Sequence, residues 1–252
     1  MRIKNLTFIL FLLPIFSLSQ ENLEWITHFG SLTPYYGVEL GRKITSDSLG
    51  NIYVAGEFTD TMKFGNIELT SNGNKEIFLA KLDSNGIVKW MMNFGGKEAD
   101  WCGDICIDKQ SNIYLTGTFR GEISLGDSVF ISSNWYDIFI TKINQDAQIV
   151  WSKAFIGNGG NSTSSITNDD EGNIYLTGNY QEQLSFDNYQ LYGPTARSDL
   201  FVTKLDKNGK VIWAKATKSN ANNFGNSIAY DNEGHLYLTG FMWDSVYFDN
   251  HL

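Results

Sequence analysis

The chain is built from a repeat of 61 residues, and that periodicity limits the folds open to it more than any other property. Gly50-Asn51-Ile52-Tyr53-Val54-Ala55-Gly56 recurs as Ser111-Asn112-Ile113-Tyr114-Leu115-Thr116-Gly117. It recurs again as Gly172-Asn173-Ile174-Tyr175-Leu176-Thr177-Gly178 and as Gly234-His235-Leu236-Tyr237-Leu238-Thr239-Gly240. The tyrosines are spaced 61, 61 and 62 residues apart. Glu76-Ile77-Phe78 returns in phase as Asp137-Ile138-Phe139 and Asp199-Leu200-Phe201, and a tryptophan closes each unit at Trp90, Trp151 and Trp213. Trp25 is a further copy ahead of the first complete unit. Units of this kind bury their apolar faces on their neighbours, so the core lies between units.

Each element has a physical reading. Ile113-Tyr114-Leu115-Thr116 and Phe139-Ile140-Thr141 place apolar side chains on both faces of a strand, as expected of strands covered on both sides. Asp47-Ser48-Leu49-Gly50, Asp169-Asp170-Glu171-Gly172 and Asp231-Asn232-Glu233-Gly234 have Asp first and Gly fourth, and so do Asp83 to Gly86 and Asp206 to Gly209. Asp opens a type I turn by accepting backbone hydrogen bonds, and Gly takes the left-handed position that completes the hairpin. The second unit departs at both turns, with Ser111 at the first and Asn144 and Ala147 at the second. A left-handed Ala costs about 1–2 kcal/mol, which predicts a different loop shape there.

The unit therefore reads Ile105 to Asp108, Asn112 to Gly117, Asp137 to Ile143 and Ile149-Val150-Trp151. It resembles the bacterial SBBP (β-propeller) repeat family, and Leu205 to Trp213 is similar to the tryptophan-docking segment of quinoprotein-type propellers. The resemblance implies an all-β propeller, or partial propeller, of about four 61-residue repeats. Each would be a four-stranded antiparallel blade. The innermost strand would carry Ile44, Ile105, Ile166 or Ile228, and the outermost the tryptophan. The quinoprotein likeness concerns a structural docking motif and implies no quinone cofactor. The unit is longer than the usual blade of about 40–45 residues. The surplus, for example Phe58 to Lys75, reads as an inserted hairpin or edge strand. A β-solenoid or open sheet array is the alternative.

The first 19 residues read as a signal peptide. Arg2 and Lys4 precede an apolar run, Leu6 to Leu18, broken only by Thr7, Pro14 and Ser17, with cleavage expected before Gln20. The run is short for a membrane anchor. Residues 20–252 form the repeat region, and no membrane span is expected after cleavage. The expected location is exported: extracellular or at the cell surface, with the periplasm as a further compartment. The 233 residues after the signal amount to about 3.8 repeats, with the innermost strand and the tyrosine strand present four times and the phenylalanine strand three times. A truncated chain or a fragment of a longer propeller is expected, with a compact four-bladed closure as the alternative. Without Arg2 and Lys4 there are 17 basic residues against 28 acids, a net charge of −11, which argues against nucleic acid as a partner. Cys102 and Cys106 are too far apart along one extended strand for a bridge and read as two free thiols.

No catalytic residue, metal site or cofactor is assigned. His28, His235 and His251 show no metal-ligand spacing, and His235 occupies the column of Asn51, Asn112 and Asn173, as a turn or strand substitute. The turns at Asp169 to Glu171 and Asp231 to Glu233 are acidic enough to suggest calcium, but hairpin chemistry explains them. Recurring aromatics belong to the core. Those that do not recur are candidates for a contact surface: Trp101, in the column of Leu40, Ser162 and Phe224; Trp135, with Asn74 and Arg197; Tyr136, with Lys75 and Ser198; and Trp243, with Thr59, Arg120 and Gln181. The sequence points to a non-enzymatic recognition, adhesion or scaffold module. Its partner would be a glycan or protein at the cell surface. A glycan-active hydrolase or lyase with an axial site, or a purely structural fragment, are the alternatives.

Overall fold

The computed structural model describes residues 25–31, 38–219, 221–231, 233–243 and 247–248. The expected signal peptide, residues 1–19, and the end of the chain, residues 249–252, lie outside the described residues. Among the described residues no helix is long and apolar enough to cross a membrane.

A short strand, β1 (Phe29–Ser31), precedes the first full sheet. The unit of that sheet comprises β2 (Glu39–Ser46) and β3 (Ile52–Phe58), then a hairpin of β4 (Thr61–Phe64) and β5 (Ile67–Thr70) that pairs with β1 in a sheet of its own, then β6 (Glu76–Leu82) and β7 (Val88–Phe94). The second contains β8 (Trp101–Ile107), β9 (Ile113–Leu125), β10 (Ser128–Ile143) and β11 (Ile149–Phe155). Here the inserted hairpin is the extended tip of β9 and β10. The third contains β12 (Ser162–Asn168), β13 (Ile174–Tyr180), the hairpin β14 (Gln183–Phe186) and β15 (Tyr189–Tyr192), β16 (Asp199–Leu205) and β17 (Val211–Lys218). A fourth begins with β18 (Asn223–Tyr230) and β19 (Leu236–Met242), and β20 (Tyr247–Phe248) follows. The strand orders β2-β3-β6-β7, β8-β9-β10-β11 and β12-β13-β16-β17 are those of up-and-down antiparallel blades, with the innermost isoleucine first and the tryptophan last. The surplus in each unit is the hairpin expected between the second and third core strands.

The core lies between sheets. Tyr53, Ile77 and Leu79 of the first meet Ile105, Leu115 and Phe139 of the second. On the other side of the second sheet, Tyr114, Ile138 and Ile140 meet Ile166, Leu176 and Phe201 of the third. The central strands β3, β6, β9, β13 and β16 are therefore buried on both faces, as the sequence pattern requires.

Three further devices hold successive sheets together. The first is the inserted hairpin, which pairs with the end of the preceding outermost strand: β4 with β1, Ser124 with Gly95, Leu184 with Gly157, and β20 with β17. The second is the tryptophan column. Trp25, Trp90 and Trp151 donate their indole N–H to the carbonyls of Ser84, Gln145 and Lys207, at 2.9, 3.1 and 3.2 Å, each in the last turn of the following sheet. Gly86 and Gly209 lie flat against Trp25 and Trp151, where a Cβ would clash or crowd. The third runs between innermost strands: Lys43 pairs with Asp104 at 3.4 Å, and Ser165 Oγ and Ile166 N donate to Asp104 Oδ2.

The turns explain the most conspicuous motif. The Oδ1 of Asp47, Asp108, Asp169 and Asp231 accepts the backbone N–H groups two and four residues on, for Asp47 those of Leu49 and Asn51. The Oδ2 accepts the hydroxyl of Tyr53, Tyr114, Tyr175 or Tyr237 at 3.0–3.1 Å. That hydroxyl is why an otherwise apolar strand keeps tyrosine at one column: the buried ring needs a partner for its O–H. His235 takes the asparagine's place, its Nδ1 3.0 Å from Asp231 Oδ2, as expected of a turn substitute.

The different loop expected at Ala147 is not found. Ala147 adopts φ 63° and Ser111 φ 60°, beside 75–96° for the glycines of the matching turns. Asn144 Oδ1 accepts from Asp146 N and Gln148 N just as Asp206 Oδ1 accepts from Asn208 N and Lys210 N. These turn hydrogen bonds, with the Trp90 bond to Gln145, outweigh the local cost of a left-handed side chain, and the loop keeps its shape.

Candidate functional site

The second and third sheets do not close completely. A groove of about 440 Å³ opens between them, at the end where outermost strands turn back to innermost ones. One wall is Trp101 and Tyr136 from the starts of β8 and of the core part of β10, with Thr118 beside them. The other is Ser162, Asn179, Gln181 and Ser198 from the third sheet, and Gly160-Asn161 caps one end. Cys102, Gly103 and Thr163 form the floor. Gly103 permits this approach, since a Cβ there would lie 2.9 Å from the Thr163 methyl.

The groove exists because side chains differ within repeat columns. At the first junction Glu57 fills the equivalent space. Its Oε2 pairs with Arg42 at 3.1 Å and Lys75 at 3.0 Å, and its Oε1 accepts the Cys102 backbone N–H of the next sheet at 3.2 Å. Thr118 holds the Glu57 column in the second sheet and is too short for that reach. Opposite it, the Trp101 and Tyr136 columns have shrunk to Ser162 and Ser198.

The aromatic wall is preorganised. Trp101 and Tyr136 meet edge to face with centroids 4.9 Å apart. The Lys75 ammonium sits 4.6 Å from the Trp101 ring, and the Arg120 guanidinium 5.7 Å from the Tyr136 ring. Cations over aromatic faces hold both in place. On the opposite wall Ser162 Oγ donates to Asn179 Oδ1 at 2.7 Å, which fixes the amide. Gln181 is held by Ser198 Oγ at 3.3 Å and Gly160 N at 3.4 Å. Among the described residues, the Trp101 indole N–H, the Tyr136 hydroxyl, the Thr118 hydroxyl and the Asn179 amide N–H have no hydrogen-bond partner. Burial, with the Glu57 and Asp104 charges nearby, pushes the Cys102 thiol up to about 12.

Of the aromatics singled out in the sequence, Trp101 and Tyr136 line this groove and are half-buried. Trp135 and Trp243 are outside it, 58% and 70% exposed, with Trp243 packed edge-on to Phe241. Thr118, Asn179, Gln181 and the two serines were not singled out. The signal for the serines was present, because they occupy the Trp101 and Tyr136 columns. Asp231, Glu233 and His235 bring ligand atoms within 4.8 Å of one another, but on an exposed turn whose Asp already serves His235 and Tyr237.

No protein-family model matches the chain. It is 26% identical over 250 residues to an uncharacterized WD repeat-containing protein of Acanthamoeba polyphaga mimivirus. The match covers 83% of this chain and 17% of the relative, so the chain spans about a sixth of that protein's length. The all-β repeat architecture, with its successive antiparallel sheets, and this relative are together consistent with a β-propeller-like fold. The narrower SBBP likeness rests on the sequence motifs alone.

Proposed function

We propose that the chain is a non-enzymatic recognition module of an exported protein, acting at or beyond the cell surface through the groove between its second and third sheets. The groove carries this reading. It is the place where non-recurring aromatics, unsatisfied hydrogen-bond donors and missing inter-sheet packing coincide, and pockets with those traits are the usual ligand sites. The WD-repeat relative supports a role in interaction or scaffolding. The apolar start of the sequence supports export.

The test is retention of the fluorescently labelled full chain on intact cells of its source. Trp101→Ala should cut retention about tenfold, the loss of one aromatic anchor, while Trp243→Ala should leave it unchanged. Equal retention of the two variants would overturn the assignment to this groove, and turnover of a bound glycan would replace recognition with catalysis.

A further inference from the structure

We infer that the groove takes an uncharged carbohydrate, a deepening that rests on the recognition reading above. The chain has 28 acidic and 19 basic residues, yet every side chain lining the groove is neutral. Lys75 and Arg120 sit against the groove's aromatic rings rather than in its lining, and Lys75 is also paired with Glu57. An anionic ligand such as a phosphate would find no free cation in the lining and a net negative protein around it. A purely apolar ligand would bury four unsatisfied donors at a cost of about 1–3 kcal/mol each.

What fits is a molecule with many hydroxyl groups and an apolar face. Sugar hydroxyls accept from the Trp101 indole, the Asn179 amide and the Tyr136 and Thr118 hydroxyls. The sugar's C–H face lies against the aromatic wall, whose rings offer an apolar body with a polar tip. The donors stand on two different sheets, so a bound ring would be held from both sides. The 440 Å³ volume is that of a small-ligand site.

The experiment uses the full chain on an array of neutral oligosaccharides (α- and β-linked glucose tetramers, xylotetraose, mannotetraose and galactotetraose) beside sialylated and sulfated glycans. At least one neutral glycan should bind and alter tryptophan fluorescence. Trp101→Ala and Asn179→Ala should each weaken binding about tenfold, the loss of about 1.4 kcal/mol, with circular dichroism confirming that both fold. Asn179→Ala removes a single half-buried amide and keeps the test valid should Trp101→Ala unfold. Binding to charged glycans alone, or to none, would overturn the inference, as would neutral-glycan affinity unaffected by both substitutions. If neutral glycans fail while Trp101→Ala still abolishes retention on cells, the carbohydrate is wrong and the recognition site stands. If both fail, both readings fall.

Discussion

Asp100 offers a sharp test of the packing between the first two sheets. Its repeat column holds Asn161 and Asn223, whose Nδ2 groups donate to Asp137 at 2.9 Å and Asp199 at 3.1 Å. At the first junction Glu76 stands in the acceptor's place and Asp100 has no N–H to give it. Asp100 is fully buried; its Oδ2 accepts from Gly96 N at 3.0 Å, and its Oδ1 has no partner among the described residues. Burial, joined by the nearby Glu76 charge, pushes its carboxyl up to about 7, against the pull of the Gly96 and Arg120 amides and the Lys75 charge. The unfolded value is about 3.9. An acid raised by folding takes up a proton on folding. Its stabilising share is complete below about pH 4, falls away as the pH rises toward 7, and is gone above that. Three units correspond to roughly 4 kcal/mol, an upper figure.

Asp100→Asn should supply the missing donor to Glu76 and abolish this titration. Urea denaturation followed by far-UV circular dichroism should show the variant more stable by about 2–4 kcal/mol at pH 8 and close to the parent at pH 4. The difference between the two curves isolates Asp100, because burial also raises Asp137 and Asp199. Parallel pH profiles for the two proteins would refute the reasoning.

Trp151→Phe keeps a ring against Gly209 but loses the bond to Lys207. It should cost about 1 kcal/mol in urea denaturation, and Trp213→Phe less, since among the described residues Trp213 has no such acceptor. Ala147→Gly should stabilise by about 1 kcal/mol in the same assay, because it removes a left-handed side chain without touching the turn's hydrogen bonds. Phe139→Ala, fully buried between the first two sheets, should cost about 3–5 kcal/mol, read as a fall in thermal midpoint.

The sequence motifs map closely onto what holds each sheet. The Asp-to-Tyr hydrogen bond, the left-handed glycine and the docking tryptophan all act within a unit or at a fixed distance into the next, so they recur and can be read. The extra strand in each unit was also visible. Its partner was not, because pairing Ser124 with Gly95 depends on how two sheets stack rather than on any local pattern. Ala147 shows the reverse: local preference argued for another loop, and the contacts of the whole turn prevailed. The groove was half legible. Departure from the repeat picked out Trp101 and Tyr136, but the space in front of them comes from Thr118 being shorter than Glu57, and from serines across the junction. Such a void has no motif of its own. Trp135 and Trp243, whose columns depart from the repeat just as strongly, stand exposed outside the groove.

The tryptophan column carries a consequence for how such a gene can change. The indoles of Trp25, Trp90 and Trp151 each reach a carbonyl in the next unit, and each hairpin reaches back to the previous one. A duplicated stretch of 61 residues would therefore arrive with both of its contact faces already matched. Recombination can add or remove whole units without exposing apolar surface, whereas gain or loss of half a unit would strand an indole and a hairpin at once. The packing thus constrains the phase of the repeat more tightly than the number of units.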